Sequence, residues 1–111
     1  MLRSPHAHAD IKSIDTAAAR KAPGVLLVLT GDDVKKAGYG DLPCLVPVNN
    51  RDGSPRADTP RPMLAQGRVR HVGDPVALVV AETLEQAKDA AELIEVDYEA
   101  RPHTVGTYES A

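Results

Sequence analysis

The sequence predicts a small domain of the α+β class, with one small mixed β-sheet and short helices packed on it. Three observations lead there. The chain has 111 residues, enough for one ordinary domain and too few for two. Two short apolar runs, Val25-Leu26-Leu27-Val28-Leu29 and Val76-Ala77-Leu78-Val79-Val80, are bounded by turn residues, as buried strands are. A capping signature at Thr83-Leu84-Glu85-Gln86 then opens a helix between the second run and a further alternating segment. The resulting order is β-α-β-α-long loop-β-β-α-β, a single domain over residues 1–111 with no internal repeat.

Taken in order, Ala7 to Ser13 begins with a period of two, small or apolar at 7, 9 and 11 and polar between, which is the pattern of a half-buried strand. Ile14 breaks that phase by one, which places a bulge or the strand's end near Ser13. Asp15 or Thr16 can cap a short helix over Ala17 to Ala22, and Pro23-Gly24 stops it. The run from Val25 to Leu29 follows, read as a strand buried on both faces. Thr30-Gly31-Asp32-Asp33 starts a second helix, with a hydroxyl cap and two acids near the positive end of the helix dipole; Gly38 and Gly40 end it.

From Gly40 to Gln66 the pattern changes. Pro43, Pro47, Pro55, Pro60 and Pro62 fall here, with turn chemistry at Asn49-Asn50 and Asp52-Gly53-Ser54. Each proline lacks a backbone donor, so this stretch, about residues 40–66, cannot sit inside a sheet. A loop of this length in a small domain is usually functional or ordered by a neighbour.

Gly67 to His71 reads as a strand, Gly73-Asp74-Pro75 as a turn, and Val76 to Val80 as a second buried strand. Leu84, Ala87, Ala91 and Ile94 form a narrow apolar stripe, widened by Ala90, which sets a helix from Leu84 to about Ile94. Glu95-Val96-Asp97-Tyr98-Glu99 alternates as a strand. Strand, helix and strand over this distance suggest a crossover within one sheet. Past Pro102 the expectation is a tail with little structure of its own. The two apolar runs call for cover on both faces, and helices this short leave one face for another polypeptide.

Composition excludes several functions. Hydrophobic residues make up 42% with no Phe or Trp, so the core is aliphatic and alanine-rich. No apolar run approaches the length of a membrane span, and the N-terminus lacks the apolar core of a secretory signal. A single cysteine, Cys44, cannot form an intrachain disulfide or a cysteine zinc cage, and the expected setting is the cytoplasm. A net charge of −3 with 3% aromatic residues argues against nucleic acid.

Few residues carry chemistry of their own. His6 and His8, two apart on a predicted strand, share a face, and with His71 or Asp10 they could hold zinc or iron. The plainer reading is a wet strand face with exposed imidazoles. The acids, Asp32, Asp33, Asp74 and those from Glu82 to Glu99, read as caps and solvated faces rather than an acid–base pair. Cys44 reads as a small filler at a loop anchor, since no neighbour activates it. Gly38-Tyr39-Gly40 is not a phosphate-binding glycine loop. Arg3, Arg61, Arg68 and Arg70 form a basic patch only if the fold gathers them. No catalytic, cofactor-binding or metal-binding residue is assigned.

Three blocks carry a resemblance. Arg3-Ser4-Pro5-His6-Ala7-His8-Ala9, with Ile11, Ile14-Asp15 and Pro23-Gly24-Val25, is the first. Val69-Arg70-His71-Val72-Gly73-Asp74-Pro75-Val76-Ala77, running on through Val79-Val80-Ala81-Glu82-Thr83, is the second. Ala87 to Ala91 leading into Val96-Asp97-Tyr98-Glu99 is the third. Together they resemble the α/β-hammerhead domain of the molybdenum-hydroxylase large subunit, the xanthine dehydrogenase, aldehyde oxidase and carbon monoxide dehydrogenase family. The resemblance implies a non-catalytic structural and interaction module, or a fragment, of a molybdopterin-dependent oxidoreductase. The parent family uses molybdopterin, iron–sulfur clusters and FAD. Its cofactor loops and catalytic glutamate lie in segments this chain lacks, so no cofactor is expected here and the chain alone is expected to be inactive. The implied partners are the molybdopterin-binding domains and an iron–sulfur subunit of the same enzyme. The family strand leading into Arg3 is reduced to Met1-Leu2, an open edge that favours self-association. Two alternatives stand beside this reading: a free-standing small metal-binding enzyme using His6, His8 and His71, and a small ligand-binding domain that keeps the fold.

Overall fold

A computed structural model describes residues 1–104. The elements are β1 (Leu2–Arg3), β2 (Ala9–Asp15), α1 (Ala17–Lys21), β3 (Val25–Thr30), α2 (Gly31–Lys36), β4 (Arg68–Val69), β5 (Pro75–Ala81), α3 (Leu84–Glu92) and β6 (Glu95–Ala100). The α+β class and the element order agree with the sequence, with β1 added at the front. The tail expected past Pro102 lies, from residue 105 onward, outside the described residues.

The single mixed sheet is corrected. Among the described residues there are two three-stranded sheets, β1-β5-β3 and β4-β2-β6, and every pairing is antiparallel. The reason lies in β5. Both of its edges are taken, by β3 on one side and by the two residues of β1 on the other. The strand after α3 therefore cannot pair beside β5. It pairs with β2 instead, so β5-α3-β6 links two sheets and is not a crossover within one. Two-residue β1 was too short to show a period. The bulge expected near Ser13 is present, as a register shift between Ile11 and Ser13 where β2 meets β6.

The predicted cap of α3 forms in both directions, while at α2 the reciprocal bond from the Thr30 backbone to Asp33 is the one that forms. The Thr30 backbone N–H donates to Asp33 Oδ2 at 2.9 Å at the head of α2. At the head of α3, the Gln86 N–H donates to Thr83 Oγ1 and the Thr83 N–H donates to Gln86 Oε1, both at 3.2 Å. At α1 the Asp15 carboxylate, rather than Thr16, accepts the Ala17 N–H at 2.9 Å. Gly24, at φ +75°, turns the chain between α1 and β3; a side chain there would be strained and would strike Gln86.

The core is made of small residues. One cluster joins Ala19, Val28, Ala77, Val79, Ala90 and Ile94, where α1 and α3 cover one face of the β1-β5-β3 sheet. A second joins Ala9, Ala65, Val69 and Val76. Ile14 and Val96, on the β2–β6 pair, touch both clusters and tie the sheets together. The expected α3 stripe holds from Ala87 onward, since Ala87 and Ala91 pack against the first cluster. Ala90 and Ile94 are buried, whereas Leu84 at the first turn is 65% exposed. The strand read as Gly67 to His71 shortens to β4, since the chain turns at His71 toward Asp74, whose N–H donates to His71 O at 3.2 Å.

Candidate functional site

Two apolar surfaces lack cover among the described residues. The first is the outer face of the β1-β5-β3 sheet. The Val28–Val79 pair faces the helices and is buried, so by strand alternation the flanking pairs, Leu27–Val80 and Leu29–Leu78, face away from them. Leu27 is 44% exposed and Val80 39%; Leu29 and Leu78 are half-buried. Val76, further along the same face of β5, is closed over by the second sheet. The sequence-based expectation that Val25 to Leu29 is buried on both faces is thus corrected. β3 is an edge strand, and Leu26, left unpaired at a register shift, is 67% exposed. The run is apolar on both faces because one of those faces has no counterpart within the domain.

The second surface is the long loop. A single bridge closes its base, where the Leu42 N–H donates to Arg61 O at 2.8 Å. At its far end Asn50 to Pro55 folds on itself. The Asn50 N–H donates to Ser54 O at 3.0 Å, Asn50 Nδ2 donates to Pro55 O, and the Ser54 N–H donates to Asp52 Oδ1 at 2.9 Å. The Ser54 hydroxyl, which donates to Asp52 Oδ1 at 2.6 Å, and then the Ser54 N–H hold the Asp52 carboxyl below its ordinary pKa. Between base and tip, Leu45 is 86%, Val46 71% and Val48 66% exposed. The return strand is anchored, since Leu64 and Ala65 are buried and the Ala65 N–H donates to Pro75 O at 2.7 Å. The radius of gyration of 16.7 Å exceeds the ~13 Å expected of a compact chain this long, as a projecting arm requires. Cys44 lies on this arm, exposed, with its thiol donating to Val46 O at 3.4 Å, so its reading as a filler is corrected.

The three candidate metal histidines do not converge. His6 packs its ring on Tyr98 at 4.8 Å, His8 Nδ1 lies 2.7 Å from Pro102 O, and His71 Nδ1 lies 3.9 Å from Asp74 Oδ2. Among the described residues no three His, Cys, Asp or Glu side chains meet as metal ligands, so the His6, His8 and His71 set is not assembled. His6 and His8 precede β2 rather than sharing its face. Asp10, weighed as a fourth ligand, is instead the hub of an ion-pair network. Arg68 Nε donates to its Oδ1 at 2.6 Å and Arg101 Nε donates to its Oδ2. The Arg68 guanidinium, then that of Arg101, holds the Asp10 carboxyl below its ordinary pKa. No local signal could have found this network, since its members lie on three strands or their ends, 58 and 91 residues apart.

The arginine patch does form in part. Arg68 and Arg70 line one open cavity with His8, His71 and His103; Arg61, Arg70 and His71 line a second beside it. Arg3 lines neither cavity; its Nη1 donates to Gly73 O at 2.8 Å.

The comparisons agree with this architecture. The family model for the aldehyde oxidase and xanthine dehydrogenase a/b hammerhead domain matches residues 1–102. The carbon monoxide dehydrogenase large chain of Afipia carboxidovorans is 40% identical over 109 residues, covering 98% of this chain and 12% of that protein. The crystal structure of quinoline 2-oxidoreductase from Pseudomonas putida 86 matches with a TM-score of 0.81 at 42% identity, over 96% of this chain and 13% of that one. A Cu,Mo-containing CO dehydrogenase, in its carbon monoxide-reduced state, matches with a TM-score of 0.78 at 42% identity, over 94% and 12%. The chain therefore spans only 12–13% of the length of these relatives. Among the described residues, no helix is long and apolar enough to cross a membrane.

Proposed function

Since the chain belongs to the aldehyde oxidase and xanthine dehydrogenase family of α/β-hammerhead domains, we propose that it is a non-catalytic docking module of a molybdenum-hydroxylase large subunit. The observation that carries this reading is the pairing of two uncovered apolar surfaces with a chain that spans 12% of a relative's length. A domain whose sheet is apolar on both faces, and whose longest loop exposes Leu45, Val46 and Val48, is completed by another polypeptide surface. Burying each such side chain contributes about 1–2 kcal/mol, partly offset by the entropy of ordering the arm.

In this reading the module works by binding. The outer sheet face and the arm meet the molybdopterin-binding domains, with an iron–sulfur subunit as a further neighbour, in the cytoplasm. The molybdenum cofactor supplies the oxidative chemistry within those domains. This chain's residues shape the surface around them, and no histidine or carboxylate here is given a catalytic role. The oxidised substrate belongs to the parent enzyme: an aldehyde, a purine or similar carbon, or carbon monoxide.

Hydrogen exchange tests the docking directly. Residues 40–66 of the isolated chain exchange rapidly outside the bonded points at its base, its tip and Ala65. They become protected when the molybdopterin-binding domains are added. Strong protection across 40–66 in the isolated chain, or no added protection in the mixture, contradicts the proposal.

A further inference from the structure

We propose that the two adjoining cavities around Arg70 and His71 bind a small phosphoanion, a ligand carrying a phosphate or diphosphate group. The first cavity, about 600 Å³, is lined by His8, Arg68, Arg70, His71 and His103. The second, about 440 Å³, is lined by Arg61, Arg70, His71 and Asp74. Arg70 and His71 form the wall common to both. Volumes in this range suit a small ligand rather than a flat macromolecular contact.

The charges here are arranged to leave cations available. Among the described residues Asp74 is the one acid lining either cavity, and its carboxylate is engaged: Oδ2 accepts the Arg70 backbone N–H at 3.0 Å and faces His71 Nδ1 at 3.9 Å. Asp10 lies behind Arg68 and is shared between Arg68 and Arg101. Arg61 and Arg70 have no carboxylate within ion-pair distance among the described residues. The Pro102 carbonyl, which only accepts, fixes the proton of His8 on Nδ1. This cationic trough sits in a chain of net charge −3, so it opposes the overall field of the molecule.

Guanidinium groups recognise tetrahedral oxyanions through paired N–H donors, which lysine does not reproduce, and among the described residues the permanent cations lining these cavities are all arginines, Arg61, Arg68 and Arg70. No glycine-rich backbone cradle is present, so recognition rests on side chains. A nucleic acid fits poorly, because among the described residues no Phe, Tyr or Trp lines either cavity as a broad stacking surface. The inference does not rest on the docking reading, although Thr59 to Pro62 of the arm line the second cavity, since it concerns a different class of ligand.

The test titrates inorganic pyrophosphate into the 111-residue chain at low salt, followed by calorimetry and by backbone amide NMR. The expected result is saturable one-to-one binding with shifts confined to residues 68–72 and 101–104 and the loop near Arg61. Arg70→Gln weakens it about tenfold, the loss of one charge-assisted contact. Arg51→Gln, the same change of net charge on the exposed arm, leaves it unaltered. Should Arg70→Gln fail to fold, Arg61→Gln supplies the same reading, because only its backbone carbonyl supports the arm. Equal weakening by Arg51→Gln, equal affinity for a short glutamate peptide, or no saturation at millimolar concentration each overturns the proposal.

Discussion

Replacing Gly31 with alanine sets two effects of opposite sign against each other. Gly31 is the first residue of α2, and alanine is the better helix former there, by as much as about 1 kcal/mol in a helix interior. Local preference alone therefore predicts a gain. The surroundings predict a loss. A Cβ on Gly31 would lie 2.2 Å from the Ala65 carbonyl oxygen and 2.9 Å from its carbon. Relief needs a displacement of about 1 Å, since non-bonded heavy atoms settle near 3.5 Å. The atom in the way is backbone, and it is fixed: Ala65 is 4% exposed, its N–H is bonded to Pro75 O, and it packs with Ala9, Val69 and Val76. Overpacking costs about 1–3 kcal/mol, and a fixed backbone oxygen 2.2 Å away puts this case at the upper end, about 2–3 kcal/mol, so the net loss is about 1–2 kcal/mol. At roughly 2.1 cal/mol/K per residue, 111 residues convert that to a fall in Tm of about 4–9 °C. Thermal melting by circular dichroism reads the shift, and hydrogen exchange at 64–66 reads the loosened arm root. A Tm equal to or above that of the parent chain refutes the steric argument.

Three further outcomes follow from the same contacts. Thr83→Ala removes the α3 cap and costs about 1 kcal/mol, read by chemical denaturation; Thr83→Ser restores most of it. Leu27→Lys changes stability by less than about 0.5 kcal/mol, because the side chain is on an open face, yet it weakens capture by the molybdopterin-binding domains; a large loss of stability would show that the face is covered within the domain. Asp10→Asn flattens the acid limb of the stability curve. The folded-state pKa of Asp10 lies below its ordinary value, so its contribution is complete above about pH 5 and is lost as pH falls through the folded value. The variant therefore loses less stability between about pH 5 and pH 2 than the parent, and identical acid limbs would contradict the Arg68–Asp10–Arg101 network.

Much of the fold is legible in short-range pattern. The Thr83–Gln86 cap, the Pro23–Gly24 stop, the bulge near Ser13 and the proline-rich loop each depend on neighbours within a few residues, and each appears where the sequence places it. What failed depends on partners far along the chain. Two residues at Leu2–Arg3 occupy one edge of β5 and so divide the strands into two sheets, yet two residues carry no periodicity. The burial of β3 was overestimated because an apolar run reports what a strand needs, whereas the structure reports what this chain supplies. The exposed Leu26, Leu27 and Val80 mark the difference between the two. The clustering of Arg61, Arg68 and Arg70 around His71 depends on the loop returning beside β4, which spacing does not reveal.

The central claim is that this domain is completed by, and works within, a larger molybdenum enzyme. Co-expression with the molybdopterin-binding portion of a carbon monoxide dehydrogenase-type large subunit, followed by gel filtration with molybdenum analysis, tests it most directly. The account predicts one-to-one co-elution with the molybdenum and no turnover by the 111-residue chain on its own. Separate elution, or oxidation of an aldehyde, a purine or carbon monoxide by the lone chain, would contradict it.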